Sequence, residues 1–238
     1  MSISYSPSIV TAGLTVLLDS TNTKSYPGTG NTWFDISGNN NHGTMTNFTG
    51  PSAGSLSGYD TTTRYMMFDR HLGASDGTAN NVVNIANSTS LQDCLCQNGM
   101  TVSFWLRITG VVCTAMTKWD GSWEVYYCSA LTFRTQGTGG TDGVAGSATN
   151  TGYLGTWHQI TATHSSSTRK IYINGTQIFS DTNNISNQNT TNTVAIGAYS
   201  SGVYAFVGAL PYYSLYNREL SNAEILQNYN AIRGRFGI

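Results

Sequence analysis

A two-residue alternation of apolar and polar positions runs through much of the chain. In residues 101–108, TVSFWLRI, Val102, Phe104, Leu106 and Ile108 share one face, while Thr101, Ser103, Trp105 and Arg107 share the other. The first set is expected to face a core, which leaves Trp105 on the opposite side. In residues 170–179, KIYINGTQIF, the pair Asn174-Gly175 suits a two-residue type I′ turn, whose central positions both need positive φ. That turn predicts a register in which Ile173 opposes Thr176, Tyr172 opposes Gln177 and Ile171 opposes Ile178.

Further strands are predicted in GLTVLLD, YMMFD, EVYYCSALTFRT, WHQITATH, TVAIGAY and YAFVGALPYYSLYN, each bounded by turn formers. Two stacked antiparallel sheets would bury such faces. Residues 134–152, RTQGTGGTDGVAGSATNTG, offer little to a core and are predicted as a long loop. The loop lacks the Gly-Lys-Ser/Thr ending of a phosphate-binding loop, so its glycines read as backbone freedom.

The chain then changes period. Ser221 and Glu224 have the spacing of a capping box, and Ile225, Leu226, Tyr229 and Ile232 fall on one helical stripe. A short C-terminal helix is predicted, ending at Gly234, with Arg233 and Arg235 placed to complement its negative end.

Composition narrows the partners. The chain has 238 residues, with no Pro-rich or charged linker to divide it, so residues 1–238 are read as a single domain. Only 10% of residues are charged and the net charge is −1, which leaves no broad positive surface for phosphates; nucleic acid is not an expected partner. No apolar run approaches the ~20 residues that span a bilayer, so membrane insertion by a helix is not expected. The start, MSISYSPSIV, lacks the basic and apolar regions of a secretory signal. Cys94, Cys96, Cys113 and Cys128 lack the spacing of a thiolate metal site and are expected to be free or incidentally paired.

Taken in order, WFDISGNNNHGT, TVSFWLRI, GTWHQITATHSSSTRKIYINGTQI, and VAIG followed by FVGALPYYSLYNRELSNAEI resemble the concanavalin A-like lectin/glucanase superfamily, in its laminin-G-like jelly-roll branch. The likeness covers roughly residues 14–230. It implies an all-β fold, a two-sheet antiparallel jelly-roll sandwich, closed by the short C-terminal helix. The ending NRELSNAEILQNYNAIRGRFG is similar to laminin-G-like domains of tailed-phage virion proteins. This implies a bacteriophage virion structural protein, a fibre, tail or capsid-decoration component, made in the host cytoplasm without a signal peptide. Its implied partners are other virion proteins, further copies of itself as a homo-oligomer, and host-surface glycans. Residues 1–12 and 233–238, with Arg233, Arg235 and Phe236, are the expected attachment segments. The alternatives are a carbohydrate-binding module outside a virion and a glycan hydrolase.

Calcium is common in the superfamily, but two departures count against it. Leu210 is followed by Pro211 where many members carry Ile-Asp, and Phe68-Asp69-Arg70 replaces a frequent Phe-Asp-Gly. Calcium needs six to eight oxygens at ~2.3–2.6 Å, and no cofactor is expected. Asp19, Asp35 and Asn39 are the candidate oxygen ligands, although Asp and Asn beside Gly serve equally as turn residues.

Catalysis has little support in the sequence. The related glucanases set paired carboxylates on one strand, whereas Glu124, Glu219 and Glu224 are the only glutamates and form no such pattern. The chain is therefore not expected to be an enzyme. His42, His71, His158 and His164 are scattered. The aromatics carry more: Trp119, Asp120 and Trp123 in KWDGSWE, with Trp105, are the candidate glycan contacts, since sugar C–H faces stack on aromatic planes while carboxylates accept hydroxyls. The same residue types also fill sandwich cores and subunit interfaces.

Overall fold

The computed structural model describes residues 7–48, 58–69, 81–92, 94, 99–110, 114–118, 122–127, 130–136, 142–149, 154–182, 191–198 and 206–238. Among these residues, two antiparallel sheets of eight strands each pack face to face. The first runs β14 (Thr176–Thr182), β13 (Thr168–Ile173), β12 (Trp157–His164), β7 (Met100–Ile108), β16 (Gly208–Tyr216), β5 (Tyr65–Phe68) and β4 (Gly58–Asp60), with β1 (Leu14–Asp19) also paired to β16. The second runs β11 (Asp142–Thr149), β10 (Ala130–Gln136), β9 (Trp123–Tyr127), β8 (Thr114–Lys118), β15 (Val194–Ile196), β6 (Val82–Ile85), β3 (Gly43–Thr46) and β2 (Thr32–Trp33).

The predicted inward set of β7, Val102, Phe104, Leu106 and Ile108, lies in the core between the sheets with Val83, Ile85, Val125 and Phe133 of the second sheet. Burying each such side chain stabilises the fold by about 1.5–3 kcal/mol. Arg169 of β13 fastens the two layers at one edge. It is buried, is held by Asp181 of β14, and donates from Nη1 to Thr135 Oγ1 of β10 at 3.2 Å.

The Asn174-Gly175 turn forms as predicted, with φ of 52° and 77°, and sets Ile173 opposite Thr176 and Tyr172 opposite Gln177. Beyond that the register departs from expectation. A bulge places Ile171 opposite Phe179, and Ile178 is left exposed at the sheet edge. The residues expected to form a long loop include β11, which pairs antiparallel with β10. EVYYCSALTFRT is two strands, β9 and β10, paired with each other. Pro211 lies inside a strand with both sheet neighbours, and a register shift between Ala209 and Tyr212 accommodates its missing N–H.

Helix α1 (Thr89–Gln92) is a single turn. Helix α2 (Asn222–Ile232) crosses the outer face of the first sheet and opens with the predicted box: Glu224 N–H donates to Ser221 Oγ at 3.3 Å, and Ser221 N–H donates to the Glu224 carboxylate at 2.9 Å. Ile225 and Ile232 are buried, but Leu226 of the predicted stripe is half exposed. Gly234 does not end the helix. The backbone continues as a 3₁₀ turn (Arg233–Phe236) and reverses at Gly237, which adopts φ 72°. No described helix is long and apolar enough to cross a membrane.

Candidate functional site

The candidate residues fall in different places. Trp105 is fully buried on the outer face of the first sheet, beneath Phe236 at 4.5 Å between ring centroids and Tyr229 at 5.7 Å. Trp123 is fully buried in the core. Neither offers a face to a glycan in this state, because each indole supplies packing that the sandwich itself uses. Trp119 and Asp120 lie outside the described residues.

Asp19, Asp35 and Asn39 are turn and tether residues. Asp35 accepts from the backbone N–H groups of Leu17, Ser37 and Asn41 at 2.8–3.0 Å and from the Ser37 hydroxyl. Asn39 donates to the carbonyls of Leu14 and Thr15 and to Ser37 Oγ. Asp19 accepts from Thr21 and from Arg235 Nη1 at 2.6 Å. Protein donors therefore hold the oxygens that a cation would need. Among the described residues no three His, Cys, Asp or Glu side chains converge as a metal site.

The expected attachment tail is packed on its own domain. Phe236 is buried, Arg235 is tied to Asp19, and the Arg233 guanidinium lies 5.7 Å over the Tyr229 ring. Phe236 thus serves the closure of this sandwich, while Arg233 and Arg235 stay exposed at its surface.

The glutamates are separated by their partners. Glu219 pairs with Lys170 at 2.9 Å, and Glu224 pairs with Arg218 besides capping α2. Hydrogen bonds from Arg218 and Ser221 lower the Glu224 carboxyl from 4.5 to about 2. His158 touches Thr156 and Asn174, and burial lowers its pKa. His42 accepts from Asp35 N–H, and His164 is buried against Phe133. Cys94 is buried, its thiol donating to the Ser90 carbonyl at 3.6 Å; Cys96, Cys113 and Cys128 lie outside the described residues, as does His71.

One constellation appears only when the strands are paired. On the outer face of the second sheet, Thr44 of β3 aligns with Asn84 of β6, then with Ala195 of β15, Thr117 of β8, Glu124 of β9 and Arg134 of β10. Asn84 lies between the core residues Val83 and Ile85, Ala195 between Val194 and Ile196, and Glu124 between Trp123 and Val125. Glu124 and Arg134 form an ion pair at 3.7 Å, and the Asn84 Oδ1 is buried without a hydrogen-bond partner. Of this line Thr44 is exposed and Asn84 and Arg134 are partly exposed, whereas Thr117 and Glu124 are buried at 1% and 2%. A hydroxyl, an amide and a guanidinium are thus the groups able to exchange hydrogen bonds with a polyhydroxylated ligand. Sequence reading passed over it because the residues come from six separate segments. The available signal was a polar residue at the outward position of five of the six strands, Ala195 being the exception.

The comparisons agree with this architecture. No curated protein matches the chain. Among solved structures, the binding domain of Paraclostridial Mosquitocidal Protein 1 aligns with a TM-score of 0.63 at 18% identity, over 92% of this chain and 52% of that one. A binding domain of botulinum neurotoxin DC in complex with SialylT aligns with a TM-score of 0.64 at 14% identity, over 93% and 52%. A structure described under cell entry of botulinum neurotoxin type C and its dependence on two ganglioside molecules gives 0.63 at 15%, over 92% and 51%. The chain thus spans about half the length of the structures it matches, and at these identities the likeness speaks for the fold. The Laminin_G_3 family model matches residues 75–226, and with the two-sheet sandwich this places the chain in the concanavalin A-like lectin/glucanases superfamily.

Proposed function

We propose that the chain is a lectin-like recognition domain of a tailed-phage virion protein, a fibre, tail or capsid-decoration component, which binds bacterial surface glycans without cleaving them. The observation that carries the proposal is the aligned row on the outer face of the second sheet, in which Thr44, Asn84 and Arg134 are at least partly exposed and the buried Glu124 holds Arg134 in place. Directional hydrogen-bonding groups spaced across a sheet suit sugar hydroxyls. Glycoside hydrolysis needs two carboxyl groups within about 5–9.5 Å across one bond. Here each glutamate has a cationic partner, Glu124 with Arg134, Glu219 with Lys170 and Glu224 with Arg218, which favours recognition over acid–base work.

Trp119 and Asp120 belong to the segment joining β8 and β9, the strands that carry Thr117 and Glu124, and we keep them as the aromatic and acidic contacts of the same site. The SialylT complex of one toxin structure, and the dependence of cell entry on two ganglioside molecules named for another, support glycan recognition on this fold. The virion assignment rests on the C-terminal stretch NRELSNAEILQNYNAIRGRFG; other virion proteins and copies of the chain are its assembly partners, and the virion is its location.

The test is a panel of immobilised bacterial surface glycans, run with calcium and with a chelator, beside immunolabelling of purified tailed-phage particles. Binding that survives chelation, with labelled particles, is expected. Absence of binding from folded protein in both conditions would remove the glycan function, and binding without labelled particles would make the chain a carbohydrate-binding module outside a virion.

A further inference from the structure

On the outer face of the first sheet, two adjacent rows of cross-strand neighbours meet beneath the C-terminal turn. One row is Gln159, Trp105, Tyr212 and Asp19; the other is Trp157, Arg107, Ala209 and Met67. The Phe236 ring is wedged between two indoles, 4.5 Å from Trp105 at 24° and 4.5 Å from Trp157 at 37°, with Tyr65 at 5.9 Å. The Arg107 guanidinium lies 5.3 Å over the Trp157 ring.

Three polar atoms of this box have no hydrogen-bond partner in the protein: Gln159 Oε1, Trp105 Nε1 and Arg107 Nε. All three are buried, and the Gln159 and Trp105 side chains belong to residues 1% and 0% exposed. Buried polar atoms are ordinarily paired, and three neighbours left open together call for a reason. The phenyl ring that fills the box has neither donor nor acceptor and can satisfy none of them.

We propose that this box is a pyranoside-binding site held shut by the chain's own C-terminal turn. A pyranose presents an apolar C–H face of ring size that stacks on indole as Phe236 does. Its rim hydroxyls can donate to Gln159 Oε1 and accept from Trp105 Nε1–H and Arg107 Nε–H. The walls stand on β5, β7 and β12, which the sheet fixes without help from the tail.

The tail is lightly fastened. Beyond α2 it is a single 3₁₀ turn, and besides the Phe236 ring it is held by the Arg235–Asp19 pair, whose arginine is half exposed. A depression of about 620 Å³ lined by Asn230, Ala231, Arg233, Gly234, Arg235 and Ile238 lies alongside the turn. Opening therefore needs movement of this one turn, the kind of local event that lies far below global unfolding. This site is separate from the row on the second sheet and does not depend on it.

The experiment uses the full chain as wild type, Phe236→Ala and Arg235→Gln, with methyl β-D-glucopyranoside, methyl β-D-galactopyranoside and methyl α-D-mannopyranoside as probes. Binding is read by saturation-transfer NMR and tryptophan fluorescence, and folding by near-UV circular dichroism. At least one pyranoside should bind Phe236→Ala about tenfold or more tightly than wild type, with Arg235→Gln between them. Adding Trp157→Ala to Phe236→Ala should abolish the gain, while adding Arg134→Ala should leave it intact. The proposal is overturned if folded Phe236→Ala binds no pyranoside more tightly than wild type, or if the gain survives Trp157→Ala. Should Phe236→Ala fail to fold, Arg235→Gln decides, and no gain there overturns it equally.

Discussion

The ring of Phe236, in the turn that follows α2, lies 4.5 Å from that of Trp105 at the centre of the first sheet. The last turn of the chain thereby closes a face that the middle of the chain builds. Truncating the phenyl removes a buried ring and leaves the indoles partly bare, so Phe236→Ala should lower stability by about 2–3 kcal/mol, seen as a lower midpoint in urea unfolding. An unchanged midpoint would mean that the tail contributes nothing to closure.

Arg169 links the layers. Its Nε donates to Asp181 Oδ1 at 3.0 Å while its Nη1 reaches Thr135 across the sandwich. The arginine is buried while Asp181 is 29% exposed, so Arg169→Ala loses charge-assisted hydrogen bonds without stranding a buried carboxylate and should cost about 1.5–3 kcal/mol. The double variant with Asp181→Ala should lose less than the sum of the two single losses, which a double-mutant cycle in urea measures directly.

Acid should act on the helix cap. The Glu224 carboxyl lies at about 2 in the fold against 4.5 ordinarily, so between these values the unfolded chain binds the extra proton. The stabilisation is complete above about pH 4.5 and is lost as pH falls toward 2. Glu224→Gln should flatten the acid limb of the stability profile across that window; an unaltered limb would show that the cap and its Arg218 pair do not set it.

Alkali should act on Lys118, which is fully buried with its Nζ donating to Asn87 Oδ1 at 3.1 Å and to the Asn192 carbonyl at 3.0 Å. Burial lowers its ammonium from 10.5 to about 8. The unfolded chain thus holds the extra proton between these values. The penalty for burying the charge is complete below about pH 8 and fades as pH rises toward 10.5, so wild-type stability should climb across that window. Lys118→Met should remove the climb, as measured by thermal unfolding at several pH values.

Local signals in the sequence survived folding best. Asn174-Gly175 and the Ser221/Glu224 pair define their own geometry within a few residues, and both formed as the spacing demands. Longer-range outcomes were harder to see. Ile171 faces Phe179 because a bulge adds a residue, and β11 exists through backbone pairing with β10 despite side chains that carry no strand signal. The site residues suffered from the same gap. An outward position marked Trp105 as a surface residue, but α2 and the tail arrive from more than a hundred residues away to cover it. Conversely, Asn84, Thr117, Glu124 and Arg134 look unremarkable apart and align only through strand register.

The central claim, that the outer face of the second sheet recognises glycans, is tested most directly by one paired measurement. Wild type and Arg134→Ala are applied side by side to the same bacterial surface glycan panel, with equal folding shown by near-UV circular dichroism. Loss of the guanidinium should weaken binding by about tenfold or more while the fold persists. Equal binding by the two proteins would contradict the account and move the site elsewhere on the domain.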